Sequence, residues 1–249
     1  MSAPVFVLDR DRLVAGDTLV LDGAEGRHAA TVARLGPGET VLVTDGAGLV
    51  ATCRVTGAGR DRLELAVESR AETPPAQPRL VVVQALPKGD RGELAVAMMT
   101  EVGVDVVVPW AASRCVTRWT GGRGEKALAR WRSAAREAAK QSRRSWFPDV
   151  TTLATTAGVA DLLRPAAAGI VLHEQARTPL ATVQPPASGD VVLVVGPEGG
   201  VTPDELAAFE SAGATAYGMG PTVLRTSTAG VTALAVLLAR TARWGATGP

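Results

Sequence analysis

The chain has 249 residues, 20% charged and 46% apolar, with a formal net charge of +1, which suits one large or two smaller domains with a real core. No apolar run is long enough to span a bilayer, and the first residues lack the basic-then-apolar pattern of a signal peptide, so a cytoplasmic chain is expected. Cys53 and Cys115 fit neither a disulfide framework nor a metal-ligand spacing; reduced structural thiols and no metal are expected.

From residue 4 to about 68 the pattern is short strands, at 4–8, 18–21, 40–45, 50–56 and 62–67, broken by Gly36-Pro37-Gly38, Asp45-Gly46 and Gly57-Ala58-Gly59. This predicts a small β-barrel with one helix-like insert at 25–35, which carries Arg27, His28 and Arg34. Residues 71–78 hold three prolines and no apolar period, and read as a linker. The expected division is therefore a barrel domain at 1–70, a linker at 71–79 and a second domain at 80–249.

In that second part, strands at 80–85, 105–109, 169–172, 191–195 and 215–218 alternate with helices at 92–102, 124–144, 157–163, 203–212 and 228–243. Such alternation predicts βαβ units and a mainly parallel sheet. In the last helix Val231, Leu234, Ala235 and Leu238 recur at helical spacing and form one apolar stripe.

The near-neutral net charge hides an uneven distribution. Between Arg114 and Arg144 ten basic residues face two acids, Glu125 and Glu137, so this segment is +8 and the remainder −7. On a helix Leu128, Trp131, Ala135 and Ala138 share a packing face, while Arg132, Arg136, Lys140 and Arg143 share an adjoining one. Like charges four apart cost about 0.2–0.5 kcal/mol per pair, so helix stability does not explain the stripe; a phosphate backbone would, and a plain solvated face is the alternative.

Two strand-to-helix junctions draw attention. Val191 to Val195 runs into Gly196-Pro197-Glu198-Gly199-Gly200, and Thr202 with Glu205 forms a capping box around Pro203 at the first helical position. A small polar or anionic ligand fits such a turn at the carboxyl end of a parallel strand, and so does a plain tight turn. The second junction, Tyr217 to Ala229, again runs from strand through glycines to a hydroxyl-rich helix start, where residues 226–228 can cap the helix. Arg225, between an apolar loop and that cap, can clamp a carboxylate or phosphate. His173 follows a strand near the same sheet edge, as a site wall or as a structural histidine. There is no phosphate-binding Gly-x-x-x-x-Gly-Lys loop, no Gly-x-Gly-x-x-Gly after the first strand, and too few histidines for a nucleophile triad.

Together, Gly196-Pro197-Glu198-Gly199-Gly200 and Met219-Gly220-Pro221-Thr222-Val223-Leu224-Arg225-Thr226 resemble the RsmE family of SPOUT-class 16S ribosomal RNA uracil-N3 methyltransferases. Supporting segments are 28–38, 86–91, 100–104, 113–115 and 137–142. The resemblance implies a PUA-like RNA-binding barrel, a C-terminal α/β domain with a trefoil knot, a homodimer, S-adenosylmethionine as cofactor, and 16S RNA or the small subunit as partner. Carried over by position, the cofactor site comprises Leu172, His173, Gly196, Glu198, Gly199, Gly200, Met219, Gly220, Val223, Leu224 and Thr226. Arg225 and Arg114 are the expected catalytic pair. The expected RNA contacts are Arg27, His28, Arg34, Lys88, Arg91, Arg118, Arg132, Arg136, Lys140, Arg143 and Arg144. Two positions depart from the family pattern, which has Glu where Ser227 stands and Gly where Arg143 stands. A non-catalytic RNA-binding assembly factor is the alternative, as is a methyltransferase acting on another RNA; binding of S-adenosylmethionine separates the first from an enzyme.

Overall fold

The computed structural model describes residues 3–245, which divide into two compact units, one of residues up to 75 with 139–147, the other of 76–138 with those from 148 on. Among the described residues no helix is long and apolar enough to cross a membrane, and no group of His, Cys, Asp and Glu side chains is placed to hold a metal.

The first unit begins with β1 (Val5–Val7), α1 (Arg10–Val14), β2 (Thr18–Leu21) and α2 (Gly23–Arg27), which continues as a π-helical turn over His28–Val32. Next come β3 (Thr40–Thr44), β4 (Leu49–Ala58) and β5 (Leu63–Glu72). The strand order is β1-β3-β4-β5-β2, antiparallel except for the β1–β3 pair. Alternate residues of β4, such as Ala51, Cys53 and Val55, enter a core with Phe6, Leu13, Leu21, Val43 and Leu65, as period-two patterning requires. Ala71 and Glu72 pair with Val50 and Leu49, so the linker is shorter than its composition suggests: strand pairing extends into it.

Residues 139–147, which sequence reading places in the second domain, belong to the first unit through backbone bonds. The Gly48 N–H donates to the Ser145 carbonyl (2.9 Å), and the Phe147 N–H donates to that of Gly46 (2.9 Å). The Trp146 indole donates to the Thr73 carbonyl (2.9 Å).

The second unit contains β6 (Arg79–Ala85), α3 (Arg91–Val102), β7 (Val106–Trp110), α4 (Gly121–Gln141, its last three residues in the first unit), β8 (Asp149–Val150), α5 (Thr156–Leu163) and β9 (Ala168–Leu172). A short 3-10 turn (Leu180–Thr182) precedes β10 (Asp190–Val195), α6 (Pro203–Ser211), β11 (Ala214–Tyr217), α7 (Thr226–Leu238) and α8 (Ala242–Gly245). Six strands pair in parallel in the order β11-β9-β10-β6-β7-β8. Burial of all five residues from Val191 to Val195 is what a strand covered on both faces demands.

Helix α4 stops at Gln141, three residues short of its expected end. The Arg143 N–H donates to the Lys140 carbonyl and the Arg144 N–H to that of Ala139, a Schellman closure that puts Arg143 at φ 55°. Helix α7 departs from expectation as well. Gly230, Ala233, Leu234, Leu237 and Leu238 are buried at helical spacing, so one apolar stripe forms, but it is shifted from the expected one, leaving Val231 and Ala235 half-buried. It packs on α3 closely enough that a Cβ at Gly230 would stand 2.7 Å from the Met99 sulfur. The chain then breaks before α8, whose Arg243 forms a largely buried, bidentate pair with Asp105 and donates to the Gly103 and Pro78 carbonyls.

Candidate active site

Three strands of the second unit, β9, β10 and β11, end at one edge of the sheet, and the loops that follow them enclose a cavity of about 700 Å³. Each loop is shaped by a specific need for close backbone approach. After β10, the Gly200 N–H closes a turn on the Pro197 carbonyl (2.9 Å) with Gly200 at φ 74°, and a Cβ at Gly196 would meet the Val201 side chain at 2.8 Å. Behind β11, a Cβ at Gly218 would stand 2.8 Å from the Ala176 carbonyl oxygen of the neighbouring loop. The two loops are also paired through Gly218, which donates to Thr178 and accepts from Leu180 (both 2.9 Å). At Gly220, φ 111°, the space a Cβ would take is open.

The polar equipment of the cavity lies at its edge. Arg114 and Arg225 both line it and are exposed. Arg225 occupies the N-cap position of α7, its carbonyl accepting from the Thr228 and Ala229 N–H groups (2.9 Å each). Arg114 donates from Nη1 to the Gly199 carbonyl (3.0 Å). Glu198 accepts from the Lys88 N–H (3.1 Å), and the Arg91 guanidinium stands 4.0 Å from the same oxygen. His173 Nδ1 accepts from the Gln175 N–H (3.2 Å), which in the neutral imidazole leaves the Nε2–H as a donor.

Leu172, His173, Gly196, Glu198, Gly200, Met219, Gly220, Val223, Leu224 and Thr226 all line this cavity. Gly199 does not. A Cβ there would lie 3.0 Å from Arg114 Cβ, so this glycine makes room for Arg114 instead. Arg91, expected on the RNA side, borders the cavity.

The remaining basic residues fall in both units. Arg27, His28 and Arg34 are exposed on the first unit, Arg34 at φ 55°. In the second unit Lys88 and Arg118 are exposed, and Arg132 donates to the Val150 carbonyl (3.0 Å). Arg136 lies on the exposed side of α4, and Arg143 and Arg144 follow its end in the first unit. Lys140 corrects the expected stripe: it is buried, its ammonium paired with the Glu25 carboxylate, Nζ 3.1 Å and 3.2 Å from the two oxygens, one of which also takes the Val7 N–H.

Sequence reading missed what Glu205 does beyond capping. One oxygen completes the box with Thr202, and the other accepts from the Ser113 N–H at 2.7 Å. It also missed Gln84, fully buried on β6, whose amide donates to the Thr226 carbonyl (3.4 Å) at the start of α7. Neither bond has a local signature in sequence.

Residues 74–238 match the model of an RNA methyltransferase domain, and 21–68 match that of an RNA methyltransferase PUA domain. The chain belongs to the RsmE family of RNA methyltransferases. It is 47% identical to the ribosomal RNA small subunit methyltransferase E of Mycobacterium bovis, over 93% of this chain and 90% of that one. To the Bacillus subtilis protein of the same name it is 26% identical, over 92% and 93%. The structure of the Neisseria gonorrhoeae methyltransferase E bound to S-adenosyl methionine superposes with a TM-score of 0.83 at 28% identity, covering 96% of this chain and 98% of that one. A Legionella pneumophila methyltransferase in complex with SAM gives 0.81 at 25% identity, covering 97% and 99%.

Proposed function

We propose that this RsmE-family chain transfers the methyl group of S-adenosylmethionine to N3 of a uracil in the 16S RNA of the small ribosomal subunit, work that places it in the cytoplasm. The observation that carries the reading is the cavity at the ends of β9, β10 and β11, glycine-walled and edged by Arg114 and Arg225. Its residues fit the cofactor: Leu172, Val195, Met219 and Leu224 offer apolar walls to a purine, while the glycine turns admit an extended ligand close to the backbone. When bound, the cofactor supplies an electrophilic methyl group on a sulfonium.

The chain's own task is to make N3 a nucleophile and to hold it in line. Uracil N3 carries a proton and is a poor nucleophile until that proton leaves. Arg225 and Arg114 orient the base and stabilise the negative charge that develops on its carbonyl oxygens as N3 ionises, with the proton passing to water at the exposed rim of Glu174, Val223 and Arg225. Apolar loops keep the reacting atoms at attack distance. The PUA-like unit and the exposed basic residues engage the RNA backbone, with 1–70 as the RNA-binding part and 80–249, apart from 139–147, as the catalytic part.

The same reading includes a C-terminal trefoil knot and a homodimer. The pairing of Gly218 with Thr178 and Leu180, and the donation from Arg240 to the Ala181 carbonyl (2.6 Å), support the knot by tying the last segments to the β9–β10 connection. Sedimentation tests the dimer. For the reaction, 16S RNA from a strain lacking the enzyme is treated with the protein and digested for mass spectrometry. N3-methyluridine at one site is expected; cofactor binding without that product points to another RNA, and no cofactor binding at all points to a non-catalytic assembly factor.

A further inference from the structure

Glu205 does not line the cavity, yet its carboxylate touches the supports of two cavity walls. We propose that Glu205 is a positioning residue for Arg114, joining the glycine turn after β10 to the loop that carries Ser113 and Arg114 and so holding the guanidinium at the cavity edge. This rests on the reading of Arg114 given above.

The division of labour between the two oxygens makes the case. Oε2 accepts from the Thr202 N–H (2.9 Å), which with the Glu205 N–H donating to the Thr202 hydroxyl (3.2 Å) completes the capping box, and it also accepts from that hydroxyl (3.0 Å). Oε1 is directed elsewhere: it accepts from the Ser113 N–H at 2.7 Å and from the Thr156 hydroxyl at 3.3 Å. That hydroxyl in turn accepts from the Trp110 indole (3.3 Å), whose ring meets Phe209 edge-on at 5.3 Å. Four donors therefore converge on one carboxylate that is 3% exposed.

Burial pushes the acid up, but the hydrogen bonds from Thr202 and Ser113 outweigh it and hold Glu205 below the ordinary carboxylate range. The group is thus kept charged, and a charged acceptor grips its donors harder than a neutral one. One residue beyond Ser113, the Arg114 side chain lies against the turn, Nη1 to the Gly199 carbonyl at 3.0 Å. Turn and loop are consequently fixed at two neighbouring points, one through Glu205 and one through Arg114 itself.

The experiment is a double-mutant cycle on the full chain with Glu205→Gln and Arg114→Ala, reading cofactor Kd and single-turnover kcat on 16S RNA. Glutamine completes a capping box as well as glutamate does, but its amide has one acceptor atom for donors on two sides. The expected Glu205→Gln phenotype is a folded protein with cofactor Kd within about threefold of the parent and kcat lowered about 10- to 100-fold, the scale of a misplaced positioning group. In the Arg114→Ala background the same change should then cost little more, since a positioning residue has nothing left to position. An unchanged kcat, or losses that multiply in full, would overturn the proposal. If Arg114→Ala alone keeps full kcat, the catalytic reading of Arg114 fails. Positioning is still decided by the Arg114 Nε–H resonance, which should shift in Glu205→Gln and would stay put if Glu205 merely caps. Should Glu205→Gln melt, Thr156→Val removes one donor to the same oxygen, and a smaller kcat loss that vanishes with Arg114→Ala is expected.

Discussion

The glycine loops and the basic helix are both candidate ligand surfaces written plainly in the sequence, yet they are built in opposite ways. The cavity depends on backbone for its shape: Gly218 and Gly196 allow the surrounding loops contacts no side chain permits, while apolar side chains and a rim of polar ones line it. Helix α4 is made of side chains, and several of its charges are already occupied. Arg130 pairs with Glu93 (2.7 Å), Arg132 donates to a carbonyl, and Lys140 is buried against Glu25. A motif that constrains backbone therefore survives folding nearly intact, whereas a count of charges overstates the surface it describes.

The sharpest way to break this contrast is at the cavity's edge. Arg225→Ala is expected to lower kcat about 100- to 1,000-fold, the cost of removing one charge-stabilising donor, with cofactor binding kept; full methyl transfer in a radiolabel assay would remove Arg225 from the mechanism. Next comes the backbone behind the wall. Gly218→Ala must move the Ala176 carbonyl, and calorimetry should show cofactor affinity down about 10-fold, from an overpacking cost of about 1–3 kcal/mol.

On the helix, two variants should part company. Arg123→Ala with Lys126→Ala, both exposed, is expected to weaken RNA binding and reduce the slope of log affinity against log salt by about one to two, with stability unchanged. Lys140→Ala should leave that slope alone and lower the unfolding free energy by about 1–3 kcal/mol, because Glu25 loses its buried partner. If both variants changed RNA binding equally, the stripe would act as one surface after all. The smallest effect is a gain: Arg143→Gly relieves a left-handed residue at φ 55° and should raise stability by about 1 kcal/mol in chemical denaturation.

Much of this molecule was legible in its sequence, for identifiable reasons. The strands Val191 to Val195 and Leu80 to Ala85 announce themselves because both faces are buried, and the Thr202–Glu205 box because its chemistry is local. What escaped was either short or nonlocal. Strand β8 has two residues and α1 has five, too few for a period to show. The return of residues 139–147 to the first unit depends on bonds to Gly46, Gly48 and Thr73, and no pattern within the segment records them. Glu205 shows both cases in one side chain, one oxygen predictable from Thr202 and the other bound to a residue 92 positions away.

Both cysteines are buried, Cys53 at 0% exposure and Cys115 at 4%, and burial pushes the Cys53 thiol up to about 11 and raises Cys115 as well. The native chain consequently offers little thiolate to alkylating reagents at neutral pH. A cysteine introduced at Val223, 83% exposed beside Arg225, would take a single fluorophore without first stripping the protein of its own thiols. The folded enzyme thus comes ready for optical readout of the loop between β11 and α7.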